Sequence, residues 1–348
     1  MGTHLSNFGE RRSVPFWIVP VLFLLLLVVR PAALVAEGIS AFSKAQAAYE
    51  ERQLEKALEY AKEAVRQKPD HPDAYVLLGE LYYLQQELGK AKESWEQALK
   101  LAPSRQDVRQ LLENLPRETA IENSLTRSDT YPFIVRFAEG QGSVDLGSVR
   151  ILLRDAYRQV GQQFQYFPDH SITVILYPRA AFEQVKGISH QVGGLYDGKI
   201  RLPLNSGYGS DTEIQRILWH EYTHAIVHDL ARGRCPLWLN EGLATVQESR
   251  VVPVQLQDFT AALREGKLFP WDQFWDKPYE ESQLRLCYEQ AYVIAQYLVK
   301  RWGWEKMVGL LNRLGQGYPI ADAIRAEYKS DPADIEKEWL SWAKRQLL

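Results

Sequence analysis

The chain has 348 residues, a formal net charge of −3 and a hydrophobic fraction of 46%. This length suggests two or three folded units, and the near balance of charges argues against nucleic acid as the main partner. Two cysteines, Cys235 and Cys287, are too few for a disulfide framework. If the chain is exported, they can form one disulfide; two buried free thiols are the alternative.

The first 37 residues are predicted to be a targeting or membrane segment. Residues 14–29 form an uncharged apolar run that Arg11 and Arg12 precede and Arg30 ends. The run is short for a spanning helix, which needs about 20 apolar residues. It therefore fits either a single-pass membrane anchor or the apolar part of a cleaved signal peptide. Positive charge before the run predicts a cytoplasmic N-terminus and an extracytoplasmic body; secretion after cleavage is the alternative.

Residues 38–115 are predicted to form a helical repeat. A period of 34 residues relates Ala57 to Ala91 and Pro69 to Pro103. The second copy closely resembles the tetratricopeptide pattern, in which small residues let paired helices approach and aromatic residues fill the space between them. That resemblance is carried by Tyr75, Leu78, Gly79, Tyr82, Ala91, Trp95, Ala98 and Pro103.

Two repeats are fewer than the roughly three that a free-standing solenoid needs, so the module is expected to lean on its neighbour or on a membrane. Two roles stay open for it: binding a peptide or protein partner in its concave groove, and acting as a spacer. The next segment, residues 116–130, is polar and has little apolar periodicity, which predicts a linker.

Residues 131–348 are predicted to form an α+β domain. Short β-branched or aromatic runs at 133–137 and 172–177 indicate strands, and an apolar stripe predicts a helix at 146–164. An Asp-Gly pair within residues 193–204 indicates a two-residue hairpin. The edge strand of that hairpin can either hold an extended peptide by strand addition or simply complete the sheet.

The strongest chemical signal is the sequence HEYTH, which WLNEG follows after a helix stop. His220 and His224 lie four residues apart on one face of a helix, so both imidazoles can reach one metal ion. A returning second helix can bring Glu241 to the histidine pair, and two histidines with one glutamate are a known ligand set for catalytic zinc. Glu221 can then address the metal-bound water. The alternative is an amphipathic helix whose histidines are surface residues.

From about Tyr131 onward, the chain resembles the peptidase MA-like zinc metallopeptidases of the gluzincin group. The resemblance rests on GGLYDG, HEYTH and WLNEGLA, and it continues through YEQAY into the helical tail. It implies a zincin-like α+β fold with a small mixed sheet, a metal-binding helix and a helical C-terminal part. It also implies one catalytic Zn²⁺ with His220, His224 and Glu241 as ligands, and Glu221 as the catalytic base.

For the oxyanion donor and the residues around the ligands, the resemblance leaves alternatives open. Gluzincins often use a tyrosine or histidine beyond the third ligand to stabilise the oxyanion, so Tyr288 and Tyr292 are candidates, with packing roles as the alternative. Some gluzincins have an aspartate four residues after the glutamate ligand, where this chain has Thr245. That departure leaves the acceptor for a ligand imidazole unassigned. His228 continues the ligand face and either supports a ligand or is structural.

The function expected from these patterns is a membrane-anchored or exported zinc peptidase acting on a peptide or protein substrate. One alternative is a non-catalytic scaffold whose repeats bind a protein partner while the zincin domain serves as a binding platform. Another is zinc-dependent hydrolysis of a non-peptide amide. A decayed enzyme is expected to lose Glu221 before its ligands, so the presence of Glu221 favours catalysis.

Overall fold

The structure is a computed structural model, and it describes residues 32–50, 53–138, 146–178, 181–182, 195–196, 198–204, 211–274 and 283–348. The apolar run at 14–29 lies outside these residues, so the predicted anchor or signal stays a prediction. Among the described residues, no helix is both long and apolar enough to cross a membrane.

Five helices form the N-terminal part, as the 34-residue period predicted: α1 (Ala32–Glu50), α2 (Leu54–Gln67), α3 (Pro72–Leu84), α4 (Leu88–Leu101) and α5 (Gln106–Glu122). The helix pairs approach closely where the repeat places small residues. A Cβ atom on Gly79 would lie 2.3 Å from the Trp95 ring, so α3 and α4 reach their spacing only with glycine at that position. The indole of Trp95 then fills the space beside α3 and is fully buried.

Residues 116–130 are not the structureless linker that their polar composition predicted. Their first part continues α5 through Pro116 to Glu122, and their last part is strand β1 (Thr126–Thr130). Strand β1 lies at the edge of a sheet, and its residues alternate between half-buried and exposed. An edge strand with one face in water can form without a row of apolar residues along it. The segment therefore belongs to the folded body although its composition is that of a loop.

Within the described residues, the sheet has five strands in the order β1-β2-β3-β5-β4. Strand β2 is Phe133–Phe137, β3 is Ile172–Pro178, β4 is Leu195–Tyr196 and β5 is Ile200–Leu204. The three central strands are parallel, and both edge strands are antiparallel to their neighbours. The mixed sheet and both strand runs are confirmed. The hairpin pairing of β4 with β5 agrees with the Asp-Gly signal, although Asp197 itself lies outside the described residues.

Helices cover both faces of this sheet. On one face, Val174 and Leu176 of β3 belong to the main hydrophobic core, together with α6 (Leu146–Phe164). On the other face, Ile175 and Tyr177 pack against residues at the end of α5 and just beyond it. Because β3 is buried on both faces, its sequence is a continuous apolar run and does not alternate.

The C-terminal part is helical, as predicted, with α7 (Asp211–Ala231), α8 (Leu237–Glu248), α9 (Gln257–Glu265), α10 (Trp271–Phe274), α11 (Leu284–Gly315, kinked at Gly303), α12 (Ile320–Tyr328) and α13 (Pro332–Leu347). Helix α8 lies very close to α11. A Cβ atom on Gly242 would lie 2.5 Å from the carbonyl oxygen of Ala291. The glycine of WLNEG therefore brings the helix of Glu241 against the helix of Tyr288.

Cys235 and Cys287 do not form the disulfide that was considered for an exported chain, because both are free thiols. Cys235 lies half-buried just before α8, whereas Cys287 is buried in α11. Burial raises the pKa of both thiols, that of Cys287 to about 11. Neither thiol is therefore disposed to act as a nucleophile at neutral pH.

A buried polar cluster joins the repeats to the sheet; we call it the junction cluster, and it comprises Tyr83, Glu118, Glu122, Tyr177, Lys199 and Arg201. The Arg201 guanidinium lies 3.2 Å from Glu118 Oε2 and also contacts Glu122. Lys199 Nζ lies 3.5 Å from the centre of the Tyr83 ring. Since α3 and α5 supply half of these groups, the repeats lean on the sheet, as their small number predicted.

Candidate metal centre

The HEYTH sequence lies in the middle of α7, which is buried on most of its circumference between the sheet and the C-terminal helices. Tyr222 and Ile226 face the core, and the side chains of the motif are also almost completely buried. His220, Glu221 and His224 are 4%, 2% and 8% exposed. Buried polar groups require partners, so these side chains are held within a polar site and not on the surface.

Helix α8 returns beside α7 and brings Glu241 to both histidines, as predicted. The distance from Glu241 Oε2 is 3.6 Å to His220 Nε2 and 3.8 Å to His224 Nε2. One ligand atom from each of the three residues can be chosen so that all lie within 4.8 Å of one another. Tetrahedral zinc ligands with bonds near 2.1 Å are separated by roughly 3.4 Å, so this donor set fits one zinc ion with slight contraction.

Both imidazoles are held through their other nitrogen atom. His220 Nδ1 lies 2.8 Å from Glu248 Oε2, and His224 Nδ1 lies 3.0 Å from Asn240 Oδ1. Each oxygen accepts a hydrogen bond from Nδ1–H, so Nε2, which faces Glu241, is the atom of each ring that is placed to bind a metal ion. Metal-binding histidines are typically oriented by such acceptors.

Sequence reasoning had left these acceptors unassigned. The Thr245 hydroxyl donates to the backbone carbonyl of Glu241 at 2.8 Å and holds no imidazole. The acceptor is Glu248, which lies seven residues after Glu241 and therefore two turns along the same helix face. A search for a carboxylate at that spacing would have found it. Asn240 was already within the WLNEG motif.

Two parts of the sequence are similar to known protein families. A family model of the Peptidase MA superfamily matches residues 209–345, which contain α7, α8 and all the predicted site residues. This part of the chain is therefore similar to the Peptidase MA superfamily. A tetratricopeptide repeat model matches residues 48–115, as the repeat pattern indicated. A comparison with curated proteins found no significant match.

A row of charges supports the first histidine of the Peptidase MA domain. Arg216 lies one turn before His220, contacts Glu248, and pairs with Glu213 at 2.6 Å. Burial would raise the pKa of Glu248, but its contacts with His220 and Arg216 lower it below its ordinary value. Glu248 is therefore an anionic acceptor, which is the stronger type for an imidazole N–H.

The charge on Glu248 also acts on His220. Burial alone would lower the pKa of this imidazole, but the carboxylates of Glu241 and Glu248 outweigh that effect and raise it to about 10. In the metal-free protein, His220 is then protonated at neutral pH. A metal ion that binds to Nε2 must displace this proton.

Glu221 and Tyr288 complete the surroundings of the three ligands. Burial raises the pKa of the Tyr288 hydroxyl, and the negative charges of Glu241 and Glu221 raise it further. The hydroxyl therefore feels the charge of both carboxylates and keeps its proton at neutral pH. The other candidate, Tyr292, is buried, and its hydroxyl accepts from Gln296 Nε2 at 2.6 Å. The structure thus favours Tyr288 as the tyrosine of the site.

Two cavities are lined by residues of this centre or of its surroundings, and each has its own set. Tyr288 and Thr245 line a cavity of about 370 Å³. His224 and Asn240 line another of about 320 Å³, whose walls include His228 and Tyr196. The His228 ring packs edge-on against the Tyr196 ring. His228 therefore forms part of the wall of this second cavity, beside the ligand His224.

Proposed function

We propose that the Peptidase MA domain is a zinc-dependent peptidase that hydrolyses peptide bonds of a protein or peptide substrate. The observation that carries this proposal is the convergence of His220, His224 and Glu241 next to the buried Glu221. Both imidazoles are oriented by acceptors, so the donor set is preorganised for a metal ion. Similarity to the Peptidase MA superfamily supports the same chemistry.

The roles of the side chains follow from their chemistry. His220, His224 and Glu241 would hold the zinc ion, which when bound would supply a Lewis acid that lowers the pKa of water and polarises a carbonyl. Glu221 takes the proton of the attacking water as the new C–O bond forms. It then passes this proton to the nitrogen of the leaving amine as the peptide C–N bond breaks. Tyr288 donates its hydroxyl proton in a hydrogen bond to the oxygen on which negative charge develops.

The remaining parts of the proposal concern location and partners. Residues 1–37 are proposed to anchor the protein in a membrane with the domain outside the cytoplasm, and secretion after signal cleavage is the alternative. The tetratricopeptide match supports a role of the repeats in protein binding. That match also favours the rival proposal, a non-catalytic scaffold in which the domain is only a binding platform.

The test uses the purified full chain, with zinc content measured by elemental analysis and hydrolysis measured on β-casein, an unfolded protein. We expect one zinc per chain and cleavage of casein. Glu221→Gln should keep the zinc while losing about 10²- to 10⁴-fold in kcat, the usual contribution of a general base. His224→Ala should lose both. Glu265→Gln, a change at an exposed carboxylate on α9, serves as the control.

Two results would contradict the proposal. If Glu221→Gln cleaved casein as fast as the unmodified protein, Glu221 would not be the base. If the zinc-loaded protein bound casein but cleaved neither casein nor shorter peptides, the scaffold would be the better description.

A further inference from the structure

A groove in the repeats opens toward the metal centre. Its volume is about 460 Å³, and it lies between α1 and α3 on one side and the end of α7 on the other. Phe42, Val76 and Leu77 make its floor apolar. Three of its lining residues, Tyr49, His228 and Gly233, also line the 320 Å³ cavity that contains His224 and Asn240. The groove and the cavity at the metal ligands are therefore neighbours with a common wall.

Helix α7 gives the scale of this arrangement. His220, His224, His228 and Arg232 follow one another at intervals of four residues, so the first three share one face of the helix and Arg232 lies just past its end. At 1.5 Å per residue, the distance along the helix from His224 to Arg232 is about 12 Å. An extended peptide covers that distance with about four residues.

We propose that the substrate chain runs from the metal centre past His228 into the groove between α1 and α3. The repeats then form one wall of the substrate cleft instead of a separate binding module or a spacer. The substrate is an unfolded polypeptide with a large apolar side chain about four residues from the cleaved bond. This inference rests on the proposed peptidase function and adds to it the kind of substrate.

The charges of the groove support an uncharged side chain as its occupant. Of the three acidic residues that line it, Asp73 pairs with Arg105 at 2.5 Å and Glu50 pairs with Arg234 at 2.9 Å, while burial raises the pKa of Glu80. Arg232 adds a cation to the lining, which would repel an incoming lysine or arginine. A side chain of this kind would also have to compete with Arg105 and Arg234. An apolar side chain instead gains from the buried surfaces of Val76 and Leu77 and disturbs neither pair.

The test compares two tryptophan substitutions on the same helix. Gln46 is exposed and lines the groove, whereas Lys44 is exposed and lines neither cavity. These positions lie about 200° apart around α1, so Gln46→Trp fills the groove and Lys44→Trp adds the same ring elsewhere. Both changes leave the metal ligands untouched, and zinc content confirms that in each variant.

The substrates are fluorogenic peptides built on one bond that the protein cleaves in β-casein, extended residue by residue on either side and ending in leucine. In the unmodified protein, kcat/KM should rise at least roughly tenfold when the extension on one side reaches about four residues, the effect of one filled apolar pocket. Gln46→Trp should abolish this rise and leave cleavage of the shortest peptide unchanged. Lys44→Trp should behave like the unmodified protein.

A parallel measurement separates this inference from the proposed function. β-Casein labelled with a fluorophore is titrated with zinc-loaded Glu221→Gln protein carrying one or the other tryptophan, so the measurement does not depend on cleavage. If no peptide is cleaved but Gln46→Trp weakens binding at least tenfold relative to Lys44→Trp, the groove is confirmed and the peptidase is not. If Gln46→Trp changes neither the binding nor the length dependence of cleavage, the groove does not hold the substrate.

Discussion

The metal centre and the junction cluster are both buried sets of charged side chains, but their spacing differs. In the junction cluster, Arg201 lies in direct contact with Glu118 and Glu122, so opposite charges neutralise one another. At the metal centre, Glu241 Oε2 is 3.6 Å from His220 Nε2 and 3.8 Å from His224 Nε2. Both distances are longer than a hydrogen bond.

This difference separates a structural role from a chemical one. In the junction cluster each carboxylate faces a cation, an arrangement that stabilises the contact between the repeats and the sheet. At the metal centre, hydrogen bonds are formed on the outer side of each imidazole, and the inner side is left for an ion. Buried glutamates thus serve different purposes at the two places, and the groups that they face reveal which: Lys and Arg side chains in the junction cluster, and two oriented imidazoles at the metal centre.

The largest effect on stability is expected from Arg201→Ala. Removing this cation leaves Glu118 and Glu122 buried without their main partner, which should cost about 3–5 kcal/mol of unfolding free energy. Urea unfolding measures the change. Arg127→Ala is the matched control, because Arg127 pairs with Asp129 on an exposed strand and should contribute only about 0–1 kcal/mol. Zinc content should stay at one per chain in both variants.

A loss in Arg201→Ala no larger than that in the control would mean that the junction cluster is already hydrated and contributes little. The junction cluster would then not have the stabilising role that distinguishes it from the metal centre.

An intermediate effect is expected from Glu248→Gln. The variant keeps an oxygen acceptor near His220 Nδ1 but removes its charge, which should weaken zinc binding about 10- to 100-fold. Competition with a chelator of known zinc affinity measures the change. Glu213→Gln, which alters the partner of Arg216 and lies one step further from the imidazole, should have a smaller effect. Equal losses in the two variants would argue against a specific role of Glu248.

A further effect on zinc affinity is expected from pH. Since the pKa of His220 is raised to about 10 in the metal-free protein, zinc must displace one proton at neutral pH. Zinc affinity should therefore rise about tenfold per pH unit below that value, and titrations from pH 6.5 to 8.5 would show this slope. An affinity independent of pH would mean that His220 is already neutral.

The same shift predicts how the metal-free protein responds to pH. A raised folded-state pKa contributes stability that is complete below the ordinary value of 6.5 and is lost as pH rises through about 10. Melting temperatures of chelator-treated protein should therefore fall over this range. The fall should be smaller in Glu248→Gln, because one of the carboxylates that raise the pKa has been neutralised.

The metal ligands could be predicted from the sequence because helical spacing alone places them together. His220 and His224 are four residues apart, and the turn before WLNEG returns the next helix beside them. The repeat helices and the central strands were equally accessible, since each depends on local periodicity. The choice between Tyr288 and Tyr292 required the packing of α8 against α11, which no local pattern records.

The junction cluster was not predictable for a physical reason. Lys199, directly before β5, and Arg201 within it alternate with apolar residues, a pattern that normally indicates a strand face exposed to water. Glu118 and Glu122 lie in a segment whose polar composition is typical of a linker. Each pair is buried only because the other pair lies opposite, more than 70 residues away in the chain. Charges that are buried by mutual pairing look like surface charges in the sequence.

That mutual pairing limits how freely the two parts can be separated. A fragment without the repeats would expose two cations and the apolar side of Ile175 and Tyr177, and the repeats alone would carry two uncompensated carboxylates. Neither part can therefore be transferred to another protein without leaving its buried charges uncompensated. A repeat module taken from another protein could replace this one only if it presented two carboxylates and an aromatic ring to β5 at the same positions.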